Sequence, residues 1–169
     1  GKYYKDVEQL RKYASELKKA KTKDASGSYT FDSTQLETMD CSEIRRAICE
    51  LAKGCVNNVP YKWGASSLDK SIGTDCSGFT KALYAQFGID LPRKSYTQGQ
   101  NGVKVSREAA RPGDLMVWNH KPGDDTGHVA IYIGNGMAIH APGRGKFVTY
   151  KQGEDSGGKQ FLGYYSFFD

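Results

Sequence analysis

The chain has 169 residues, 38% of them hydrophobic and 25% charged, with a formal net charge of +5 at pH 7. That length suits one compact domain with some chain to spare, and no apolar run approaches the roughly 20 residues a membrane-crossing helix needs. The basic excess is modest and dispersed, so no nucleic-acid partner is expected. The only basic run is Lys18-Lys19-Ala20-Lys21-Thr22-Lys23, which a solvated helix face explains.

The opening Gly1-Lys2-Tyr3-Tyr4 shows no secretory leader, and a start other than Met fits a mature form or part of a longer protein. Tyr3, Val7, Leu10, Ala14 and Leu17 fall on one stripe of a charged helix over about Tyr3–Lys21. Asp24–Thr38 is rich in Ser, Thr, Asp and Gly and is expected to be a linker. Residues 1–40 are therefore set apart as an N-terminal helix and linker, with one domain over 41–169.

A second helix follows. Asp40 and Glu43 stand as N-cap and N3 of a capping box, and Ile44, Ile48, Leu51, Ala52 and Cys55 share one face. Asn57-Asn58-Val59-Pro60 stops it. Tyr61-Lys62-Trp63-Gly64-Ala65 then leads through a polar loop to Gly73-Thr74-Asp75-Cys76-Ser77-Gly78. There a third helix begins, marked by Phe79, Leu83 and Phe87 and stopped by Gly88.

Cys76 falls in the first turn of that helix. Unpaired N–H groups and the positive end of the helix dipole favour a thiolate there, although a small buried hydrophobe is the ordinary use of a free cysteine. The other cysteines are Cys41, Cys49 and Cys55. Cys49 and Cys55 sit about 9 Å apart along one helix, too far for a disulfide in an intact helix. Free thiols are expected, with a bridge from Cys41 to Cys49 or Cys55 as the alternative.

Beyond Leu91-Pro92-Arg93, Ser95 is placed to cap a short helix through Gln98. Val103–Val105 and Leu115–Trp118 are strand candidates, joined through an Arg111-Pro112-Gly113-Asp114 turn. Lys121–Thr126 is a polar loop. His128–Ile133 alternates as a strand, Gly134-Asn135-Gly136 carries a hairpin signal, and Met137–His140 returns. His128 and His140 then lie at the same end of one hairpin. Phe147–Tyr150 and Phe161–Phe168 supply further strands. Helices first and strands after give an α+β fold with an antiparallel sheet.

A thiol nucleophile needs a base, and a histidine base needs an orienting group on its other ring nitrogen. Of the three histidines, His128 and His140 are placed for this; His120 sits in a loop. The same Cys and His residues with Asp75 make a weak zinc set, without the close ligand spacing zinc sites show. No nucleotide-binding glycine pattern occurs, and no cofactor is expected.

Four blocks, in order, are Asp75-Cys76-Ser77-Gly78-Phe79, Arg111-Pro112-Gly113-Asp114-Leu115, Gly127-His128-Val129-Ala130-Ile131-Tyr132-Ile133-Gly134 and Ile139-His140-Ala141-Pro142. This set resembles the NlpC-type cell-wall peptidases. Tyr61-Lys62-Trp63-Gly64 and Leu91-Pro92-Arg93-Lys94-Ser95-Tyr96-Thr97-Gln98 resemble two further blocks of that family, so the resemblance covers about residues 42–169. It implies a papain-like fold with Cys76 as nucleophile, His128 as general base and His140 as orienter. It also implies hydrolysis of peptidoglycan stem peptides between D-glutamate, linked through its γ-carboxyl, and the diamino acid, at the bacterial cell wall outside the cell. Tyr61, Asp75 and Ser77 correspond to substrate-side positions, though Asp75 serves equally as an N-cap, and Arg93 and Trp118 correspond to architectural ones. The alternatives are an N-acetylmuramoyl-L-alanine amidase and a non-catalytic wall-binding module.

Overall fold

The computed structural model describes residues 41–122 and 126–167, apart from the Cys41 side chain. The expected N-terminal helix and linker, the Asp40 cap, part of the Lys121–Thr126 loop and Phe168 lie outside the described residues. Helix α1 spans Cys41–Cys55 and helix α2 spans Cys76–Ala85. A 3₁₀ helix covers Ser95–Asn101. Six strands follow: β1 (Val103–Val105), β2 (Leu115–Trp118), β3 (His128–Gly134), β4 (Met137–His140), β5 (Thr149–Gln152) and β6 (Phe161–Ser166). They form one antiparallel sheet in the order β1-β6-β2-β3-β4-β5. The α+β expectation holds.

Period-two alternation sorts the sheet's side chains between two layers. Leu115, Val117, Val129, Ile131 and Ile139 share the main core with Ile44, Ile48 and Ala52 of α1 and Phe79 and Leu83 of α2. Burying one such large aliphatic or aromatic side chain contributes about 1.5–3 kcal/mol. Met116, Trp118, Ala130, Tyr132, Ala138 and Tyr164 form a smaller cluster of their own. Glu154 closes that cluster: its carbonyl accepts from Trp118 Nε1 at 2.7 Å and its carboxylate from the Tyr164 hydroxyl at 2.8 Å.

The β3–β4 hairpin turns on Asn135 and Gly136, with φ of 55° and 75°. Two successive positive φ values define the tight turn whose twist suits a hairpin, and Asn-Gly tolerates it. The register pairs Ile131 with Ile139, with a bulge between Tyr132 and Gly134.

Three local expectations are corrected. Ser95 does not cap its helix: Lys94 holds that position with no side-chain hydrogen bond, and Ser95 is the first helical residue. Phe87 lies beyond the end of α2, although it is fully buried. The strand expected at Phe147–Tyr150 starts later, at Thr149, and runs to Gln152. Phe147 forms an isolated bridge with Pro60 instead, and Val148 exchanges backbone hydrogen bonds with Val59 and Asn57. These residues are used to tie the segment before Tyr61 to the sheet.

Arg111–Asp114 is a turn, and it is also a joint. Arg45 of α1 donates to Asp114 at 2.7 Å, to the Pro112 carbonyl at 3.2 Å and to the Ser166 hydroxyl at 2.7 Å. The Tyr84 hydroxyl of α2 donates to the Gly113 carbonyl. The buried Arg45–Asp114 pair and these hydrogen bonds thus tie both helices to the turn before β2, and α1 to β6 as well. Cys49, Cys55 and Cys76 are free thiols. Burial pushes Cys49 up to about 11 and Cys55 up to about 12, as befits unreactive core residues.

Candidate active site

Asp75 caps α2 in extended conformation, and its Oδ1 accepts the Gly78 N–H at 2.7 Å. This cap sets Cys76 as the first helical residue. Gly78 has no substitute there: a Cβ would stand 2.1 Å from the Ala65 carbonyl oxygen. The helix start is thus pressed against the 64–66 loop. Asp75 Oδ2 accepts from Gly64 N–H at 3.0 Å, and Ser66 Oγ donates to the Gly78 carbonyl at 2.9 Å.

The 3₁₀ helix braces the same turn. Buried Gln98 donates to the carbonyls of Ser77 and Pro92 at 2.9 and 3.0 Å and accepts from the Thr80 hydroxyl at 2.5 Å. Arg93 grips it from outside, donating from Nη2 to Asp75 at 2.8 Å and from Nη1 to Ser77 Oγ at 2.5 Å. Arg93 therefore supports Asp75 and Ser77 directly, a role that residues 16 and 18 positions apart did not reveal in the sequence.

The sheet meets the thiol through β3. The backbone N–H groups of Val129 and Ser77 point at the Cys76 sulfur. His128 is thus one residue from a direct contact with that sulfur. On its other side, His128 Nε2 lies 2.7 Å from His140 Nδ1, with the rings edge to face. The indole of Trp118, which pairs with His128 across β2–β3, packs on the His128 ring at 5.5 Å. His128 is 7% exposed. Its Nε2 is engaged by His140, so its Nδ1 is the nitrogen left for other work. Tyr61 joins the candidate site: its N–H donates to the Lys146 carbonyl at 2.8 Å, and burial, helped by the nearby Asp75 carboxylate, raises its phenol. His120 stands apart, edge-on to Tyr96.

Burial, and then the Asp75 carboxylate, push the Cys76 thiol up to about 11 despite its helix N-terminus. This is opposite to the direction expected from the dipole alone. Burial takes His128 down to about 3, helped by His140, Lys151 and Lys159, and takes His140 down to about 4. The resting set is a neutral thiol beside two neutral imidazoles. Among the described residues no group of His, Cys, Asp and Glu side chains could hold a metal ion.

The family model described as NlpC/P60 family matches residues 58–163. The chain belongs to the NlpC/P60 family. It is 45% identical over 85 residues to a gamma-D-glutamyl-L-lysine dipeptidyl-peptidase of Bacillus cereus, a match covering 50% of this chain and 25% of that protein. It is 43% identical over 84 residues to the murein DD-endopeptidase MepS/murein LD-carboxypeptidase of Escherichia coli, covering 49% and 42%. The crystal structure of the NlpC/p60 domain of the peptidoglycan hydrolase SagA superposes with a TM-score of 0.58 at 36% identity, covering 72% of this chain and 97% of that one. The chain thus spans about a quarter of the length of the Bacillus cereus relative and less than half of the Escherichia coli one. The NlpC/P60 match is narrower than the 42–169 expected from the motifs and leaves α1 outside it.

Proposed function

We propose that the chain is a cysteine endopeptidase that hydrolyses peptidoglycan stem peptides at the γ-D-glutamyl–diamino acid bond. The observation that carries this is the set of Cys76 at a capped helix start, the Val129 N–H at its sulfur, and the 2.7 Å contact between His128 Nε2 and His140 Nδ1. Relatives named as a gamma-D-glutamyl peptidase and as a murein endopeptidase support the substrate class.

In this proposal Cys76 is the nucleophile, His128 the general base and His140 the orienter. His140 Nδ1 accepts the His128 Nε2–H, which leaves His128 Nδ1 unprotonated and able to take a proton. Because the resting thiol is neutral, its proton passes to His128 as the sulfur attacks the γ-carbonyl. The oxyanion collects at the first turn of α2, where the Cys76 N–H and the Tyr61 hydroxyl are the candidate donors. His128 then gives its proton to the departing amine of the diamino acid, and the C–N bond breaks. Water, deprotonated by His128, cleaves the thioester and frees the glutamyl product and the Cys76 thiol. Asp75 and Ser77 bound the side of the cleft that receives the residues preceding the scissile bond. No helix among the described residues is long and apolar enough to cross a membrane, and the proposed place of action is the cell wall, outside the cell.

The test is digestion of purified muropeptides with product masses. Wild type should release fragments cut after γ-D-glutamate, and Cys76→Ala should release none. Equal products from both would refute the assignment, and cleavage between the sugar lactyl group and L-alanine would make it an amidase.

A further inference from the structure

Three backbone segments lie side by side next to the candidate site. Phe147 bridges Pro60, and Tyr61 bridges Thr74. The Lys62 N–H donates to the Thr74 carbonyl at 2.9 Å, and the Thr74 N–H donates to the Pro60 carbonyl at 3.0 Å. A Cβ added at Gly73 would stand 3.2 Å from Lys62 Cβ and 3.3 Å from Pro60 Cγ, so these two segments pack without a gap. The chain leaves Lys62 in a tight turn, closed by the Ala65 N–H on the Lys62 carbonyl at 3.1 Å, with Gly64 at a φ of 80°. Trp63 stands at the corner of that turn.

This surface is apolar and basic at once. Trp63 is 57% exposed, Ile72 51% and Phe147 48%. They are three of the five large hydrophobic side chains left exposed among the described residues, so the exposure is concentrated here rather than scattered. Exposed apolar side chains gathered in one place mark an interaction surface. Lys62, Lys70, Arg144 and Lys146 are exposed on the same stretches. None of these four cations forms an ion pair among the described residues. Residues 56–75 and 141–150 include two carboxylates, Asp69 and Asp75, and both are buried. No exposed carboxylate on these stretches offsets the positive charge.

A partner for this surface must be anionic and must also take hydrocarbon. A phosphate-rich wall polymer would satisfy the cations and leave Ile72 and Phe147 in water. The interface of an anionic bilayer satisfies both. Each Lys or Arg near such a surface strengthens binding about fivefold. Tryptophan settles at the headgroup level, and hydrocarbon side chains enter the acyl boundary. Independently of which bond is cut, we infer that the Trp63–Ile72–Phe147 surface docks on the face of a membrane rich in anionic lipid. Tyr61 lies between Pro60 and Lys62, so docking holds the candidate site close to the lipid surface.

The test mixes the full 169-residue chain with vesicles of equal parts phosphatidylglycerol and phosphatidylcholine at about 0.1 M salt. The chain should sediment with them and stay in solution with phosphatidylcholine alone. It has two tryptophans, and Trp118 is fully buried, so a blue shift of emission on binding reports on Trp63. Lys62→Gln combined with Lys146→Gln should weaken binding about 25-fold, and Trp63→Ser at least tenfold. Val103→Ser, at an exposed position on the opposite edge strand of the sheet, should bind as wild type does. No sedimentation with the anionic vesicles overturns the inference. So does equal sedimentation of Trp63→Ser and wild type, which would assign binding to another part of the chain such as the basic run at residues 18–23. Binding to cell walls bearing a phosphodiester polymer, with none to vesicles, would make this a wall-polymer surface instead. A dimer in sedimentation velocity that Trp63→Ser abolishes, again with no vesicle binding, would make it a contact between copies.

Discussion

Cys76 shows two opposing effects on one thiol. The helix start and two backbone N–H groups favour the thiolate, while burial and the adjacent Asp75 carboxylate oppose it, and the opposition wins. A thiol held near 11 has little thiolate at neutral pH, and each pH unit below its pKa costs a factor of ten. The rate of Cys76 alkylation by iodoacetamide should therefore keep rising from pH 6 to pH 9; a plateau already reached by pH 6 would mean a standing thiolate–imidazolium pair. In the mechanism proposed above, His140 acts through His128 as a positioning residue. His140→Ala leaves His128 Nε2 without its partner and frees the wrong tautomer, so kcat should fall about 10²-fold or more, given the usual worth of general-base catalysis. His140→Asn, which keeps a hydrogen-bonding group there, should recover part of that loss with KM little changed. Recovery equal in Ala and Asn variants would show that the side chain merely fills space.

Between elements, the buried Arg45–Asp114 pair has the most structural leverage. Removing one member of a buried ion pair strands the other charge and costs about 3–5 kcal/mol. Arg45→Ala should lower the unfolding free energy, read as the shift in urea midpoint times an unchanged slope, by an amount in that range, whereas Arg107→Ala, at an exposed pair with Glu154, should lower it by less than about 1 kcal/mol. A small loss at Arg45 would show that water or a neighbour takes over Asp114. Neither pair was visible in the sequence, because Arg45 and Asp114 lie 69 positions apart and nothing local marks them as partners. The β3–β4 hairpin was legible because its signals are local: alternation, an Asn-Gly turn, and a histidine at each outer end. Strand β5 was misplaced because it alternates only weakly between half-buried and exposed positions. Asp75 was legible as a cap, but its saturation by Gly64 and Arg93 was not.

At the scale of the whole molecule, the site sits where the helical layer meets the sheet, and that placement ties stability to the charge of the histidines. His128 and His140 are held neutral by burial, near 3 and 4 against 6.5 in the unfolded chain. Below pH 6.5 the unfolded state binds protons that the native state refuses, so stability falls as pH falls through this window. Glu154 is held below its ordinary 4.5 by the Arg107 hydrogen bond, so its contribution is lost only beneath that value. The interval from pH 6.5 to 4.5 is where the two buried imidazoles act on stability. Thermal melting of Cys76→Ala, which removes oxidation of the Cys76 thiol from the measurement, should show Tm dropping steadily across that interval. Adding His128→Gln and His140→Gln should flatten the drop, whatever it does to the melting point at pH 7. If the triple variant loses as much Tm from pH 6.5 to 4.5 as the single one, the buried imidazoles are not the groups that take up the protons.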